Sequence, residues 1–331
     1  MMRLVAMADP AAACRKLAGG LACRLDLDFH GAEFRVAATS ETALARLARV
    51  NHYFRGGGVD GAQVMVLAEA GTRGWSQAAD LLGAPQLDPT AHLLMASWFP
   101  HALQIRDATL LHYYSSKLLR LAVAAEHRDK IVTLHAASLE APNGRGLLMV
   151  GEAASGKTST TLDLIEHGFR FLSDDTSCIR RNDLSCLPFP TAFIIRGDLQ
   201  TGEPMLAGLA GKPPDIALLD EPRWLWERWD AVGRTVAPSV LLFFGTPGLA
   251  PGEVRPIPAS DAALRLMGNI VVPLGADPET AVGDFTDLDT MCSLAERATC
   301  YEANAQDRAK LIGWIADQMA PPFSKSQEVR R

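Results

Sequence analysis

Gly146-Leu147-Leu148-Met149-Val150-Gly151-Glu152-Ala153-Ala154-Ser155-Gly156-Lys157-Thr158 is the stretch on which the reading of this chain turns. From Gly151 to Thr158 it fits G-x-x-x-x-G-K-[ST], the phosphate-binding loop (P-loop) pattern, at every fixed position. The apolar run before it predicts a buried strand feeding the loop. Ser159 to His167 predicts the helix that leaves it, and Gly168 its stop. Such a loop turns converging backbone N–H groups and the positive end of a helix toward phosphate oxygens. Gly151, Ala154, Ser155, Gly156, Lys157, Thr158 and Ser159 are the expected binding residues for the phosphates of ATP or GTP. Lys157 adds a point charge for the β- and γ-phosphates, and the Thr158 hydroxyl suits Mg²⁺.

Working outward, Phe169 to Leu172 predicts the next strand, which ends in Ser173-Asp174-Asp175. Strand ends line the ligand crevice of an open α/β sheet. A carboxylate there can hold Mg²⁺ or take a proton from an attacking hydroxyl. In extended chain, adjacent side chains point apart, so the two need not both face the nucleotide. Upstream, Ile131 to Leu139 predicts one strand, joined to the loop-feeding strand by a hairpin turn at Asn143-Gly144. His135 interrupts that strand's apolar and small residues, and the hairpin brings it toward the loop.

The remaining chain is less informative. Arg24 to His30 and Glu33 to Ala37 alternate about Gly31-Ala32, a hairpin signal. Ser40 is an expected N-cap for a helix carrying Leu44, Leu47 and Val50 on one face, Gly56-Gly57-Gly58 breaks the chain, and Gln63 to Leu67 predicts a strand. Ala108 to His127 predicts a long helix whose Tyr113-Tyr114 fits core packing better than stacking on a ligand. Further on, Pro213-Pro214 marks a loop, Val240 to Phe244 a strand and Ala262 to Met267 a helix. The expected domains are an α+β domain over 1–107, a P-loop domain over 108–323 that begins with a connecting helix at 108–129, and a frayed tail over 324–331.

Composition excludes several classes. The 331 residues carry a net charge of −6, which gives no sign of a general nucleic-acid partner. No apolar run approaches a membrane span, and Leu4 to Met7 is too short for a signal-peptide core. Six scattered cysteines without C-x-x-C spacing fit reduced thiols in a cytoplasmic protein. Ile216 to Pro222 looks like the metal-binding acid segment of transporter ATPases. The companion Ser-Gly-Gly-Gln-type signature is missing, so Asp220-Glu221 is read as surface loop.

Taken together, Gly151 to Ile165 and Gly168-Phe169-Arg170-Phe171-Leu172-Ser173-Asp174-Asp175 resemble the catalytic core of the HPr kinase/phosphorylase family, over roughly residues 130–200. His135 matches that family's histidine ahead of the loop-feeding strand. The resemblance implies an α/β nucleotide domain of the HPr kinase/phosphoenolpyruvate-carboxykinase type, with ATP and Mg²⁺ as cofactors. It implies γ-phosphoryl transfer to a serine hydroxyl of a protein or peptide acceptor, and the homo-oligomers common in the family. It also implies roles: Asp174 the general base, Asp175 its metal-side neighbour, Thr158 a Mg²⁺ ligand, and His135 and Lys157 catalytic. Two positions depart from the pattern. His135-Ala136 replaces a His-Gly pair. In Phe193-Ile194-Ile195-Arg196-Gly197, Ile194 stands where the family has a metal-binding Glu, and Arg196 is a further positive charge. Two rival readings follow from these departures: a kinase for a tailored peptide (lasso-peptide type) or a small molecule, and a nucleotide-binding regulator without transfer.

Overall fold

In a computed structural model of the chain, residues 2–56, 62–83, 87–196, 209, 212–218, 221–272 and 285–319 are described. The expected breaker at Gly57-Gly58, Gly197, Asp220 and the expected tail over 324–331 lie outside them. Along the chain come β1 (Met2–Ala6), α1 (Pro10–Gly20), β2 (Cys23–Phe29), β3 (Ala32–Ala38), α2 (Glu41–Val50), β4 (Gln63–Ala68), α3 (Arg73–Leu82), β5 (His92–Ala96), β6 (His101–Ile105) and α4 (Ala108–Glu126). They are followed by β7 (Ile131–Leu134), β8 (Ala136–Glu140), β9 (Gly146–Val150), α5 (Lys157–Glu166), β10 (Arg170–Ser173), β11 (Ser177–Arg180), β12 (Cys186–Leu187), β13 (Phe193–Arg196), β14 (Ile216–Leu218) and β15 (Glu221–Trp226). The last are β16 (Pro238–Phe244), β17 (Val254–Pro256), α6 (Ala259–Met267), α7 (Phe285–Arg297), β18 (Thr299–Ala303) and α8 (Arg308–Met319). The protein is mixed α/β with several sheets.

Contacts divide the chain into two compact units. The first draws on residues up to 129 and again on 191–229, so α4 counts with it. The sequence boundary at 107/108 thus differs from the contact division, because α4 packs on α2, β5 and β6. This unit holds a six-stranded sheet in the order β1-β6-β5-β4-β3-β2 and a small sheet β13-β15-β14. Its hairpin turns at His30-Gly31, with φ of 57° and 93°, one residue earlier than the alternation predicts. Two consecutive positive φ values are what a two-residue hairpin loop needs to match the strand twist. α1 and α3 pack on β4 and β5, and α2 packs on β2 and β3. Val64, Met65, Val66 and Leu67 of β4 are all buried, so successive side chains on both faces of this strand are covered, which explains its unbroken apolar run.

The second unit carries a six-stranded sheet, β10-β8-β9-β16-β18-β17, and a small sheet, β12-β11-β7. β9, β16 and β18 pair in parallel. β8 is antiparallel to both β9 and β10, so β10 runs the same way as β9. The ends of β9, β10, β16 and β18 therefore reach one edge of the sheet, where β8 begins. A core of Leu134, Leu148, Val150, Leu172, Leu241, Leu266, Met291 and Leu294 holds these elements together, each such side chain worth about 2 kcal/mol when buried.

The expected single strand over Ile131–Leu139 is two. β7 pairs with β11 in the small sheet (Leu134↔Ser177), and β8 pairs with β10 in the large one (Ser138↔Ser173). The four segments form one antiparallel ribbon folded at a corner. His135 is the corner residue on one side and Asp174-Asp175-Thr176 make the corner on the other. The break has a tertiary cause: His135 N donates to Asn269 O (2.7 Å), and Leu134 bridges to Ile270. Ser177 Oγ braces the bend through Ala136 O (2.9 Å) and Ser138 Oγ (3.0 Å).

Among the described residues, no helix is long and apolar enough to cross a membrane. None of the six cysteines is in a disulfide. Burial pushes the Cys14 and Cys178 thiols up to about 12, which makes them poor nucleophiles.

Candidate functional site

The corner and the 151–158 loop meet at the same sheet edge. β9 delivers Gly151, and α5 begins at Lys157, two residues before the start expected from the sequence. Gly156 precedes the helix with φ +101°, a conformation that glycine adopts readily, and a Cβ there would lie 2.9 Å from Ala305 Cβ. Ala154 holds φ +64° without being glycine. Non-glycine residues kept in that region carry strain and cluster at ligand-gripping loops. α5 has no side-chain cap, so its first amides are left for an outside acceptor. Ser155 Oγ, on the loop, is buried without a hydrogen-bond partner, as are Thr160 Oγ1 and Thr161 Oγ1 in the helix. An uncapped helix start and buried hydroxyls without partners thus lie together at this loop.

Lys157 folds back over the loop. Its Nζ donates to Gly151 O (2.5 Å) and Glu152 O (2.9 Å), and lies 3.4 Å from His135 Nε2. Burial pushes its ammonium below the ordinary value, while Asp175 and Asp174 pull it back up. His135 continues the chain of contacts: its Nδ1 is 3.2 Å from Asp175 Oδ1 and 3.1 Å from Asp175 O. One tautomer serves both ends, with Nδ1–H donating to Asp175 and Nε2 accepting from Lys157. Asp175 and His135 are half-exposed, with side-chain exposures of 45% and 37%.

Asp174 faces elsewhere. It is buried, and its Oδ2 lies 3.5 Å from Thr158 Oγ1 in the first turn of α5. The two aspartates diverge at the corner, one to Thr158 and one to His135. Ser173 Oγ accepts from Asp175 N (3.3 Å) and Thr176 N (2.9 Å), which fixes the corner backbone.

His135, Gly151, Ala154, Ser155, Gly156, Lys157, Thr158, Ser159, Asp174 and Asp175 are all in the second unit, around this edge. Ile194 and Arg196 are not among them. They lie on β13 of the first unit, in register with Leu225 and Arg223. Glu221 opens β15 as an exposed residue paired with Arg223 (3.0 Å). Sequence reasoning missed two loops at the same edge, Gly245–Leu249 after β16 and Ala303–Asp307 after β18. Gly245, Gly248 and the exposed polar run Gln306-Asp307 were their only signals.

No protein-family model matches the chain. Among solved structures, the HPr(Ser) kinase/phosphatase from Coxiella burnetii aligns with 56% of this chain and 96% of that one, at 19% identity and a TM-score of 0.24. That is a remote structural relation, too slight to transfer an activity.

Proposed function

We propose that this protein is an ATP-dependent phosphotransferase that moves the γ-phosphoryl group to a serine-type hydroxyl of a protein or peptide acceptor. One observation carries the reading. A loop of phosphate-binding pattern, a Thr158–Asp174 oxygen pair and a Lys157–His135–Asp175 chain meet at one sheet edge.

The oxygen pair fits Mg²⁺. Among the described residues there is no cluster of three or more His, Cys, Asp or Glu that could cage a metal. Mg²⁺ bound with a nucleotide takes only one or two protein oxygens and completes its shell with phosphates and water. Thr158 and Asp174 would hold it, and when bound it neutralises charge on the phosphates. The loop amides and Lys157 do the same from the protein side and fix the triphosphate for in-line attack. The acceptor hydroxyl then bonds to the γ-phosphorus, the bond to the departing diphosphate oxygen breaks, and the hydroxyl proton passes to a carboxylate. We give that last role to Asp175, with His135 orienting it, and give Asp174 to the metal. This reverses the division implied by the family resemblance. Burial and the Thr158 contact support it for Asp174, and exposure toward an incoming acceptor supports it for Asp175.

Nucleotide binding with and without Mg²⁺, and transfer to candidate peptides read by mass spectrometry, test the reading. Asp175→Asn should keep Mg²⁺-dependent ATP binding and lose transfer. Asp174→Asn should lose the Mg²⁺ dependence of binding itself. A wild-type protein that binds ATP but phosphorylates nothing would favour the regulatory alternative, for which Ile194 in place of an acidic ligand speaks.

A further inference from the structure

We infer that Asn269 is a positioning residue for the imidazole of His135: it holds the corner backbone so that Nδ1 meets Asp175 while Nε2 meets Lys157. Its consequence for turnover rests on the proposed phosphotransfer reading, whereas its effect on the imidazole does not. Nothing in the loop pattern or in the strands around it points to residue 269, which lies far along the chain from both.

The end of α6 is closed by the residues that follow it. Gly268 N donates to Leu264 O (3.2 Å), Asn269 N to Leu266 O (2.9 Å) and Ile270 N to Met267 O (3.3 Å). Arg265 O accepts from the Asn269 side chain, through Nδ2 (2.8 Å). The last carbonyls of the helix, which have no partner within it, thus all have donors. Only the amide nitrogen of Asn269 can serve Arg265 O, because that oxygen is itself an acceptor. Asn269 then turns its own carbonyl to the corner, where it accepts from His135 N (2.7 Å). Val271 N donates to Thr133 O (2.8 Å) on the other side of the Leu134–Ile270 bridge. One residue therefore ties α6 to the corner, by its side chain at one end and its backbone at the other.

α6 is a fixed reference for this tie. Its Ala262, Ala263 and Leu266 are buried in one core with Met291 and Leu294 of α7. Arg265 donates to Thr246 Oγ1 (3.0 Å) and to the buried Glu302 carboxylate (2.9 Å). The residue whose carbonyl Asn269 grips is thus pinned to β18 and to the loop after β16. His135, by contrast, sits where β7 has ended and β8 has not begun, so neither ladder holds its backbone N. Its ring must meet two partners at once, Asp175 Oδ1 at 3.2 Å and Lys157 Nζ at 3.4 Å. Losing either contact frees the ring to take its other tautomer. Transfer tolerates little misplacement, and an error of about 1 Å can cost about 10²-fold in rate.

Asn269→Asp keeps the shape and reverses the polarity, setting a carboxylate against Arg265 O at the negative end of α6. Asn269→Gln keeps an amide donor. Long-range proton–nitrogen spectra of the full chain with isotope-labelled histidine, assigned through His135→Gln, read the ring tautomer at about pH 8, where an imidazole is ordinarily neutral. Wild type should carry the proton on Nδ1. Asn269→Asp should show both tautomers, and Asn269→Gln should stay with wild type. In turnover, Asn269→Asp should lower kcat about tenfold or more with the KM for ATP unchanged, and Asn269→Gln should recover most of the loss. Melting temperatures check folding. Should Asn269→Asp fail to fold, Asn269→Ala, which removes the donor without adding charge, carries the same expectations. A variant without the donor that melts lower yet keeps the proton on Nδ1, or a wild-type ring protonated on Nε2, overturns the inference. A wild-type protein that phosphorylates nothing overturns the phosphotransfer reading instead, and the tautomer comparison still decides the role of Asn269.

Discussion

The two large sheets use the same device to opposite ends. In the first unit, β3 and β4 run parallel, and at their ends Thr39, Ser40, Glu69 and Thr72 meet. In this unit each described α-helix begins under a side-chain cap. Asp9 caps α1, Ser40 caps α2, Thr72 caps α3 and Asp107 caps α4. Glu69 takes the Ser40 hydroxyl, Thr72 donates to Glu69 O (2.7 Å), and His92 Nδ1 accepts from Ala70 N (3.3 Å). In the second unit, the equivalent edge offers Gly156 where the other has Ser or Thr, and α5 starts uncapped. One edge closes its helix starts with side chains, and at the other α5 starts without one. Parallel strands followed by helices therefore do not make a site. An uncapped start alone does not either, since α6 also begins without a side-chain cap; what sets α5 apart is that its uncapped start follows a glycine-bearing loop with Lys157 folded over it.

Four changes probe that contrast. Lys157→Ala should remove the charge the open edge relies on and lower transfer by about 10²–10³-fold, as loss of one transition-state donor does. Circular dichroism should show the fold unchanged, because the change only removes a side chain folded over its own loop. Gly156→Ala should close the open edge sterically. A Cβ at φ +101° costs about 1–2 kcal/mol, and its contact with Ala305 should raise the ATP dissociation constant about tenfold or more. Titration beside a wild-type control reads both effects.

The third change concerns the closed unit. His112 is buried on α4, and burial lowers its pKa to about 4, with Arg46 and His92 adding to the effect and Glu69 opposing it. The unfolded chain takes up the proton first, near 6.5. Stability is therefore fully present above that pH and is lost as the pH falls toward 4, by on the order of 2 kcal/mol. Denaturant melts from pH 7 to pH 4 should show the loss, and His112→Leu should flatten it. The smallest effect belongs to Ser40→Ala, which should cost about 1 kcal/mol of stability by uncapping α2. It should leave nucleotide titrations unchanged, since the loss of a cap in the closed edge creates no phosphate loop.

Much of the candidate site has local sequence signals. Glycine spacing, a lysine and a threonine define the loop, and Asn143-Gly144 defines the hairpin, with Gly144 at φ +80°. Ser40 caps α2 as its residue type predicts. The corner at His135 could not be read. Ile131 to Leu139 contains no glycine or proline, and the hydrogen bond that breaks the strand comes from Asn269, far along the chain. The loops after β16 and β18 stayed hidden for a related reason. Parallel pairing brings Val150 beside Phe243 and Phe244 beside Ala303, and no local rule encodes such partners. Asp174 and Asp175 do diverge, but in a bend rather than in the extended chain that alternation assumes, and which one meets Thr158 depends on the corner.

The folded ribbon has a consequence for how this molecule reaches its working state. His135 and Asp175 sit where two hydrogen-bonded ladders end, one in each sheet. Their separation is therefore set by two registers at once. A slip of one residue in either ladder would turn alternate side chains to the opposite face and carry the imidazole away from Lys157. The contact between them works as a proofreading mark on assembly: only a chain that has paired both sheets correctly can bring the two together. In a refolding experiment, a readout of that contact would count correctly registered molecules, a population that secondary-structure content alone overstates.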